Sequence, residues 1–304
     1  MNLRKHPKLL YLFPIAGFIG FGLLAYAYFI EPQRLVIKQE TIVSKNWDKE
    51  FDGLRIALLS DIHGGSNYVD EKRLQTVVAK TNEQDPDIIV LLGDFVSQKY
   101  EGNVGSRPLR MPVETISENL KGFNATYGVF VVMGNHDGEH GEGKVEDAFT
   151  NIGYKVLQNE VATIEKNGKK LRLLGTKDHL RLTKSWKETS AELKQVADAS
   201  GDGKLIVLQH SPDVFPIVTG DLSISPDLTL FLAGHTHGGQ VWFPIVGRMM
   251  VPSTFGQRYA YGHIRERNVD LFVTSGVGMS VLPIRFMVPP EIVILTLVRE
   301  THTE

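Results

Sequence analysis

From about residue 51 onward, short apolar runs alternate with segments of helical periodicity. Continuous runs of Val, Ile and Leu are typical of strands buried on both faces of a sheet. Such runs lie at residues 54–60, 87–92, 129–133, 205–209, 228–233, 271–274 and 292–297. Helical spacing of apolar residues is found at residues 71–80, 113–120, 142–151 and 186–197. The alternation predicts an α/β fold in which helices cover a sheet.

The second half of the chain also shows hairpin character. Asn167 and Gly168 separate two apolar stretches, 162–165 and 171–175, and Asn-Gly is a favoured two-residue hairpin turn. The stretch 246–267 is rich in Gly, Pro, Tyr and Arg. We therefore expect a hairpin around residue 167 and a long loop over 246–267.

The first 40 residues follow a different pattern. Residues 9–30 carry no charged side chain, and a helix rising about 1.5 Å per residue over that length spans a bilayer core of about 30 Å. Ala25-Tyr26-Ala27 resembles a signal-peptidase site, so a cleaved signal peptide is the alternative. The apolar run exceeds the usual signal core of about 7–15 residues. The sequence therefore predicts an uncleaved anchor that contacts the membrane through residues 9–30.

Basic residues near the anchor bear on its orientation. Arg4, Lys5 and Lys8 precede the span, and Arg34 and Lys38 follow it, so the positive-inside rule favours a cytoplasmic N-terminus only slightly. The expectation is a single-pass protein of a bacterial cell (inner) membrane with an extracytoplasmic, periplasmic domain. We divide the chain into a tail and anchor over 1–30, a juxtamembrane linker or first strand over 31–50, and one folded domain over 51–304.

The amino-acid composition argues against several classes of function. The 304 residues are 42% hydrophobic and 22% charged, with a net charge of −2, so no excess of basic residues indicates nucleic-acid binding. The chain contains no cysteine, which excludes disulfides, thiolate metal sites and cysteine nucleophiles.

Five of the apolar runs end in compact polar clusters. Ligand sites in α/β sheets lie beyond the carboxyl ends of strands. The clusters are SDIH with Asp61 and His63, GDFV with Asp94, GNHD with Asn135, His136 and Asp137, QHSPD with His210, and GHTH with His235 and His237. Any one of them alone is more often a polar turn or a structural histidine. Their joint occurrence at strand ends predicts one shared site.

The ligand chemistry of the clusters indicates metal. Carboxylates, an amide oxygen and several imidazoles suit Mn, Fe, Zn or Co better than Ca²⁺, which prefers oxygen alone. The set is too large for one ion and fits two. Two ions about 3.5–4 Å apart are suited to in-line displacement at phosphorus.

These motifs, in this order and spacing, resemble the calcineurin-like metallophosphoesterases over residues 54–298. The stretches GHTHGGQVWFP and SGVGMSVLPIRFMVPPEIVILTL are similar to the bacterial membrane-associated, YaeI/YkuE-like phosphodiesterase branch. The resemblance implies a four-layered αββα sandwich preceded by the transmembrane helix. It also implies a phosphoester substrate and two divalent metal ions as cofactors.

The resemblance further implies a role for each site residue. Asp61, His63 and His237 would bind one ion, and Asn135, His210 and His235 the other, with Asp94 bridging the pair. A hydroxide between the ions would attack phosphorus in line. His136, left free of metal near the phosphate, would protonate the leaving alkoxide or stabilise the developing charge, and Asp137 would either orient its loop or be a simple turn acid.

Other positions leave alternatives open. Ser97 and Gln98 replace the Asp-Arg-Gly continuation of the protein serine/threonine phosphatases, which argues against that branch and leaves the partner of His136 undefined. Asp178 and His179 are candidates for the substrate rim or for ordinary surface groups, and Arg285 for a phosphate ligand or a buried structural pair. We expect solvent-exposed side chains for two further histidines and either pocket walls or core for two aromatics: His140, His263, Trp242 and Phe243.

Three functions are therefore weighed. The first is a membrane-anchored, metal-dependent phosphodiesterase or phosphomonoesterase. The second is a lipid-linked pyrophosphatase, such as one acting on UDP-2,3-diacylglucosamine, which a cytoplasmic domain would favour. The third is a non-catalytic metal-binding scaffold, which the presence of every expected ligand disfavours.

Overall fold

The computed structural model describes residues 7–45, 47–99, 101 and 107–300, with the backbone alone for residues 7–13. Arg4, Lys5, the side chain of Lys8 and part of the loop at 98–111 therefore lie outside the described residues. The helices are α1 (Pro7–Phe29), α2 (Glu71–Asn82), α3 (Val113–Leu120), α4 (Asn135–Asn151), α5 (Trp186–Ala199) and α6 (Phe215–Val218).

The strands form two six-stranded sheets and one small hairpin. In chain order they are β1 (Val36–Ser44), β2 (Leu54–Leu59), β3 (Ile88–Leu91), β4 (Val129–Val131), β5 (Lys155–Val156), β6 (Glu160–Lys166), β7 (Lys169–Gly175), β8 (Lys204–Leu208), β9 (Leu228–Ala233), β10 (Trp242–Phe243), β11 (Gly247–Arg248), β12 (Gly262–Glu266), β13 (Val269–Val273) and β14 (Glu291–Arg299). The first sheet has the order β1-β14-β2-β3-β4-β5 and the second β12-β13-β9-β8-β7-β6.

The strands that carry the polar clusters run parallel to their neighbours. β2, β3 and β4 pair in parallel in the first sheet, and β8 and β9 pair in parallel in the second. β14 runs antiparallel to β2, and β12 antiparallel to β13. The carboxyl ends of the five parallel strands therefore carry the five motifs to one edge of the sandwich, as the sequence predicts.

Three hydrophobic cores separate four layers. The first packs α2, α3 and α4 against the first sheet. The second lies between the sheets, where Leu58 and Val90 of one meet Leu173 and Ile206 of the other. The third packs α5 and α6 on the outer face of the second sheet. This arrangement confirms the predicted four-layered αββα sandwich.

Two elements differ from the sequence-based expectation. The stretch 246–267 ends in strand β12, whose residues alternate between buried and exposed positions. As an edge strand with polar side chains it lacks the apolar run by which the others are found. Helix α4 is two helical pieces joined by a kink at Gly141, whose φ is 128°. The second piece matches the helix expected over 142–151, whereas the first, which begins at Asn135, was not expected.

The N-terminal helix α1 is apolar, and from Pro14 onward most of its side chains are exposed. Among the described residues, Pro14–Gln33 is the one helical segment long and apolar enough to cross a membrane, and 11% of it is buried. Residues 31–50, expected as a linker or first strand, contain β1, which pairs with β14 over nine residues. Only a short 3₁₀ turn at Glu31–Gln33 separates the helix from that strand.

Candidate metal centre

Side chains from four strand ends converge on two adjacent groups of ligands. Within each group the ligand atoms lie within 4.8 Å of one another. The first group comprises Asp61, His63 and His237, and the second Asp94, His210 and His235. The family resemblance implies two ions, for which these are two candidate groups.

The first group is formed by β2 and β9. His63 Nε2 lies 3.2 Å from His237 Nε2, and His237 Nε2 lies 3.3 Å from Asp61 Oδ1. All three side chains are buried. His63 Nε2 is left as an acceptor because its Nδ1 faces a carbonyl, and the His237 nitrogen and Asp61 oxygen beside it are further possible ligand atoms. Their geometry suits a cation between them.

The second group is formed by β3, β8 and β9. His235 Nδ1 lies 3.1 Å from His210 Nε2, and His210 Nε2 lies 3.2 Å from Asp94 Oδ2. Asp94 Oδ2 also lies 3.7 Å from His63 Nε2 in the first group. One carboxylate oxygen therefore faces both groups, which is the position of a bridging ligand.

Backbone carbonyls fix the tautomers of two histidines. His63 Nδ1 lies 3.2 Å from the Val96 carbonyl oxygen, and His210 Nδ1 lies 2.7 Å from the Leu92 carbonyl oxygen. Because a carbonyl only accepts, each Nδ1 carries the proton and donates it. This holds each ring in place and turns Nε2 towards the other ligands, as outer partners do in metal sites.

Unpartnered polar atoms support the fit to metal. Asn135 Oδ1 and Asp61 Oδ1 are buried and lack a hydrogen bond among the described residues. A buried polar atom left in this way costs about 1–3 kcal/mol, and a bound cation removes that cost. Burial lowers the pKa of His63 and His235 to about 4, which keeps both rings neutral at pH 7 in the form that ligates metal.

The backbone at the strand ends adopts an uncommon conformation. Non-glycine residues with positive φ are uncommon, and such residues cost of order 1–3 kcal/mol each and concentrate at functional sites. Five of the seven predicted ligands have φ between 46° and 67°: Asp61, His63, Asp94, His235 and His237. The fold therefore holds its ligands in place against local backbone preference.

Two glycines leave the room that the ligands occupy. A Cβ on Gly134 would lie 2.2 Å from Asp94 Oδ1, and a Cβ on Gly234 would lie 1.9 Å from Ser60 Oγ and 2.7 Å from Asp61 Oδ2. The glycines of GNHD and GHTH are thus required by close approach to the carboxylates.

Asp137 is fully buried and organises the loop that carries Asp94. Its carboxylate accepts from the backbone N–H groups of Asp94 (2.8 Å), Phe95 (2.8 Å), Val96 (3.2 Å) and Gly134 (2.9 Å). These bonds join the ends of β3 and β4 beside the ligand groups. Of the two roles the sequence left open, the structure shows the loop-orienting contacts.

His136 lies beside both ligand groups without belonging to either. Its ring is 5.3 Å from the His63 ring, and its backbone N–H donates to Asp94 Oδ1 at 2.9 Å. Its Nδ1 lies 3.4 Å from Glu139 Oε2, three residues further along α4. Burial opposes protonation, but Asp94 and Glu139 outweigh it and raise the pKa of His136 to about 9.

Two cavities adjoin the ligand groups and share His136, Ser280 and Val281. One of ≈ 310 Å³ is bounded by His63, His136, Arg107, Arg110 and the 279–283 segment. The other, of ≈ 450 Å³, is bounded by Asp94, Asn135, His235, His237 and the 249–252 segment. His136 therefore borders both cavities.

Two of the remaining candidate residues, Arg285 and Asp178, are buried. Arg285 is fully buried and donates to the carbonyls of Val288, Ser275, Gly276 and Gly278, which is a structural role. Asp178 is buried, and the His179 ring lies 6.4 Å from that of His235.

The exposure of the other candidates is mixed. His140 is half-buried, whereas His263 is exposed and its Nε2 lies 2.8 Å from Asp270 Oδ1. Trp242 and Phe243 form β10, and neither is among the described residues that line the two cavities.

Two residues that contribute to the site, Glu139 and Asp213, were not predicted from the sequence. Glu139 supplies the partner of His136 that was left undefined, and its i, i+3 spacing within a helix was the available signal. Asp213 of QHSPD accepts from the Thr254 N–H and hydroxyl, both at 2.8 Å. It thereby holds the loop that bounds the larger cavity, a contact that no sequence spacing indicates.

Comparison with known proteins agrees with this geometry. Residues 54–239 match the family model of the calcineurin-like phosphoesterases. The chain belongs to the calcineurin-like phosphoesterase family. It is therefore a metal-dependent phosphoester hydrolase, and proteins of this family typically bind two divalent metals, for which the chain provides two ligand groups.

Relatives resemble the chain over most of its length. The uncharacterized metallophosphoesterase YkuE of Bacillus subtilis is 31% identical over 91% of this chain and 90% of its own. The phosphodiesterase YaeI of Escherichia coli is 28% identical over 93% and 95%. A zebrafish transmembrane protein with a metallophosphoesterase domain is 29% identical over 80% of this chain and 53% of its own.

Proposed function

We propose that the protein is a membrane-anchored, two-metal phosphodiesterase. The observation that carries this proposal is the pair of buried ligand groups joined by one oxygen of Asp94, with His136 beside them and outside both. A pair of joined cation sites with an adjacent free imidazole suits the hydrolysis of a phosphoester.

Each residue has a distinct role in this proposal. Asp61, His63 and His237 would hold one ion, and Asn135, His210 and His235 would hold the other, with Asp94 as a ligand that both groups could share. The amide oxygen of Asn135 joins the second group because it is buried and lacks a hydrogen bond among the described residues. The mixture of imidazole, carboxylate and amide favours Mn, Fe, Zn or Co.

The ions, when bound, supply an acidified water and neutralise the phosphate oxygens. The chain supplies the proton for the leaving group. Glu139 faces Nδ1 of His136, so Nε2 is the nitrogen left to serve the cavities that the ring borders. A protonated His136 donates from there to the leaving alkoxide. Asp137 acts indirectly, because its hydrogen bonds to backbone N–H groups fix the loop that carries Asp94.

Membrane anchoring by α1 is part of the proposal. The segment Pro14–Gln33 has the length and composition of a span, and one relative is itself described as a transmembrane protein. Basic residues before the span favour a cytoplasmic N-terminus, with residues 51–304 outside the cytoplasm of a bacterial cell as a single calcineurin-like domain. A lipid-linked pyrophosphatase remains the second candidate, because Tyr28 at the end of α1 borders the smaller cavity.

Hydrolysis of bis-p-nitrophenyl phosphate by the full-length protein tests the proposal. Purified protein in detergent is treated with EDTA and then reloaded separately with Mn²⁺, Zn²⁺, Fe²⁺ or Co²⁺, with p-nitrophenyl phosphate as the monoester comparison. We expect metal-dependent turnover, faster on the diester. His136→Ala should keep its metal and lose about 10²–10⁴-fold in kcat. Absence of metal-dependent turnover on both esters would refute the function, and metal loss in His136→Ala would refute the assigned roles.

Fusion of alkaline phosphatase or green fluorescent protein to the C-terminus tests the topology. Alkaline phosphatase activity is expected, because that enzyme is active only outside the cytoplasm. Fluorescence of the green fluorescent protein fusion instead would reverse the orientation and favour the lipid-linked pyrophosphatase.

A further inference from the structure

Large apolar side chains are exposed on the hairpin that follows the GHTH motif. Ile245 is 98% exposed and Val246 59% exposed at the turn between β10 and β11. Phe243 in β10 and Met287 are also exposed. We call these four residues, Phe243, Ile245, Val246 and Met287, the hairpin rim. Clusters of exposed apolar side chains on a soluble domain usually mark an interaction surface.

The hairpin rim is joined to the end of α1 by direct contacts. The ring of Phe243 lies 5.1 Å from that of Phe286, and Phe286 makes an edge-to-face contact with Tyr26 of α1 at 6.4 Å. The Arg285 backbone N–H donates to the Ala27 carbonyl at 3.0 Å. The rim and the last turns of α1 therefore pack on one segment, 285–286.

The end of α1 is also held by the globular domain. Ala27 and Glu31 are buried, and Arg73 of α2 donates to the carbonyls of Gln33 (3.0 Å) and Pro32 (3.4 Å). Because β1 begins at Val36, no flexible tether separates the helix from the sheet. A bilayer that contains α1 is thus held in a fixed relation to the domain.

The same end of α1 lies at the mouth of the active site. Tyr28 borders the cavity that also contacts His63 and His136. Its neighbours in that cavity wall include Val281 and Leu282, whose side chains are 69% and 39% exposed. Apolar side chains therefore border the cavity on the side where the helix leaves the domain.

We propose that the hairpin rim docks into the interfacial region of the bilayer that holds α1, and that the metal centre acts on a phosphoester carried by a membrane lipid. The proposal rests on the anchoring role proposed above for α1. We assign the hairpin rim to contact with a lipid bilayer for two reasons. It adjoins a helix of membrane-spanning length, and it is rich in apolar side chains of the kind that enter the membrane–water interface. The phosphate of an amphiphile then lies at the level of the cavities while its acyl chains stay in the bilayer.

A fluorophore on the rim tests the docking. The chain has no cysteine, so Ile245→Cys carries a single environment-sensitive NBD label in the full-length protein. The labelled protein is reconstituted into phosphatidylcholine–phosphatidylglycerol vesicles with and without doxyl lipids. Asn167→Cys is the matched control, because it lies in the exposed β6–β7 turn at the amino ends of the parallel strands, away from the site. Both labelled proteins are also assayed on bis-p-nitrophenyl phosphate.

The expected result is blue-shifted emission and quenching by doxyl lipids at position 245, with neither at position 167. Equal, water-like emission at both positions would overturn the docking even if hydrolysis is intact. Quenching at 245 without metal-dependent hydrolysis would instead contradict the proposed phosphodiesterase function.

A second measurement tests the lipid substrate. The variant Ile245→Asp/Val246→Asp changes two residues that are not among those described around the cavities. It is compared with wild type on bis-p-nitrophenyl phosphate in solution and on p-nitrophenyl hexadecyl phosphate in the same vesicles. We expect unchanged kcat/KM on the soluble diester and a fall of about tenfold or more on the vesicle-bound one. Equal kcat/KM values for variant and wild type on both substrates would overturn the proposal.

Discussion

Glu139 Oε2 lies 3.4 Å from Nδ1 of His136, and both side chains project from the first turns of α4. The contact orients the imidazole and favours its protonated form, since Glu139 contributes to raising the pKa of His136 to about 9. Glu139 is thus a positioning residue for the proposed proton donor.

Glu139→Gln should therefore lower kcat without loss of metal. We expect a fall of about 10- to 100-fold, as for outer partners of site histidines, with KM nearly unchanged and partial recovery in Glu139→Asp. Steady-state kinetics on bis-p-nitrophenyl phosphate and metal analysis measure this. The control is Glu118→Gln, an exposed carboxylate of α3. A merely structural role would instead change KM, metal content or melting temperature together with kcat.

Asp137→Asn should destabilise the fold as well as the metal centre. The carboxylate accepts four backbone N–H bonds, and an amide group replaces one acceptor oxygen by an NH₂ donor. Each amide left unpaired costs about 1–3 kcal/mol, so we expect a loss of about 2 kcal/mol or more in the free energy of unfolding. Urea denaturation measures it, with the exposed Asp147→Asn of α4 as control. Equal values for the two variants would contradict the structural role.

The positions of the candidate ligands could be predicted because the parallel strands that precede them are buried and therefore apolar. Strand β3 is apolar throughout, and β9 is apolar except for Thr229. Polar residues follow both strands closely, so Asp94 and His235 can be recognised at their ends. Parallel neighbours place those ends together, which makes separate motifs into one site.

The contributions that escaped prediction depend on contacts between distant segments. Asp213 holds a loop 41 residues away. For Arg285 the sequence left a phosphate ligand and a buried structural role open, and its carbonyl partners lie in segments that no local pattern brings together. Strand β12 is polar because it lies at an edge, so it lacks the apolar run of the interior strands. The attachment of α1 through Ala27 depends on tertiary packing that no local pattern indicates.

Gly134→Ala should disrupt the second ligand group. Its Cβ would lie 2.2 Å from Asp94 Oδ1 and 2.5 Å from the Asp94 nitrogen, so the bridging carboxylate or its loop has to move. We expect loss of at least one bound ion per chain by metal analysis and a lower melting temperature. Gly143→Ala, in the same helix with open space around it, should stabilise by about 0.5–1 kcal/mol. A Gly134→Ala protein with its full metal content would contradict the close approach.

Arg285→Lys should loosen the segment that joins α1 to the site. The guanidinium donates to four buried carbonyls, and an ammonium group cannot reproduce that planar fork. With two or more carbonyls left unpaired, we expect about 2–5 kcal/mol less unfolding free energy. Arg258→Lys, at an exposed pair with Glu266, should cost under about 1 kcal/mol. Similar losses in both variants would show that the burial of Arg285 does not govern its contribution.

His235 and His237 stand two residues apart, yet they belong to different ligand groups. His235 contacts His210, whereas His237 contacts His63 and Asp61. Each single alanine variant should therefore lose about one of two bound ions, because each histidine belongs to only one ligand group. Metal analysis after gel filtration measures the stoichiometry, and a titration with Mn²⁺ by isothermal calorimetry shows whether one binding step remains. His140→Ala, outside both groups, is the control and should keep both ions. Loss of both ions in either variant would show that the two sites fill only together, and full retention in both would remove GHTH from the metal centre.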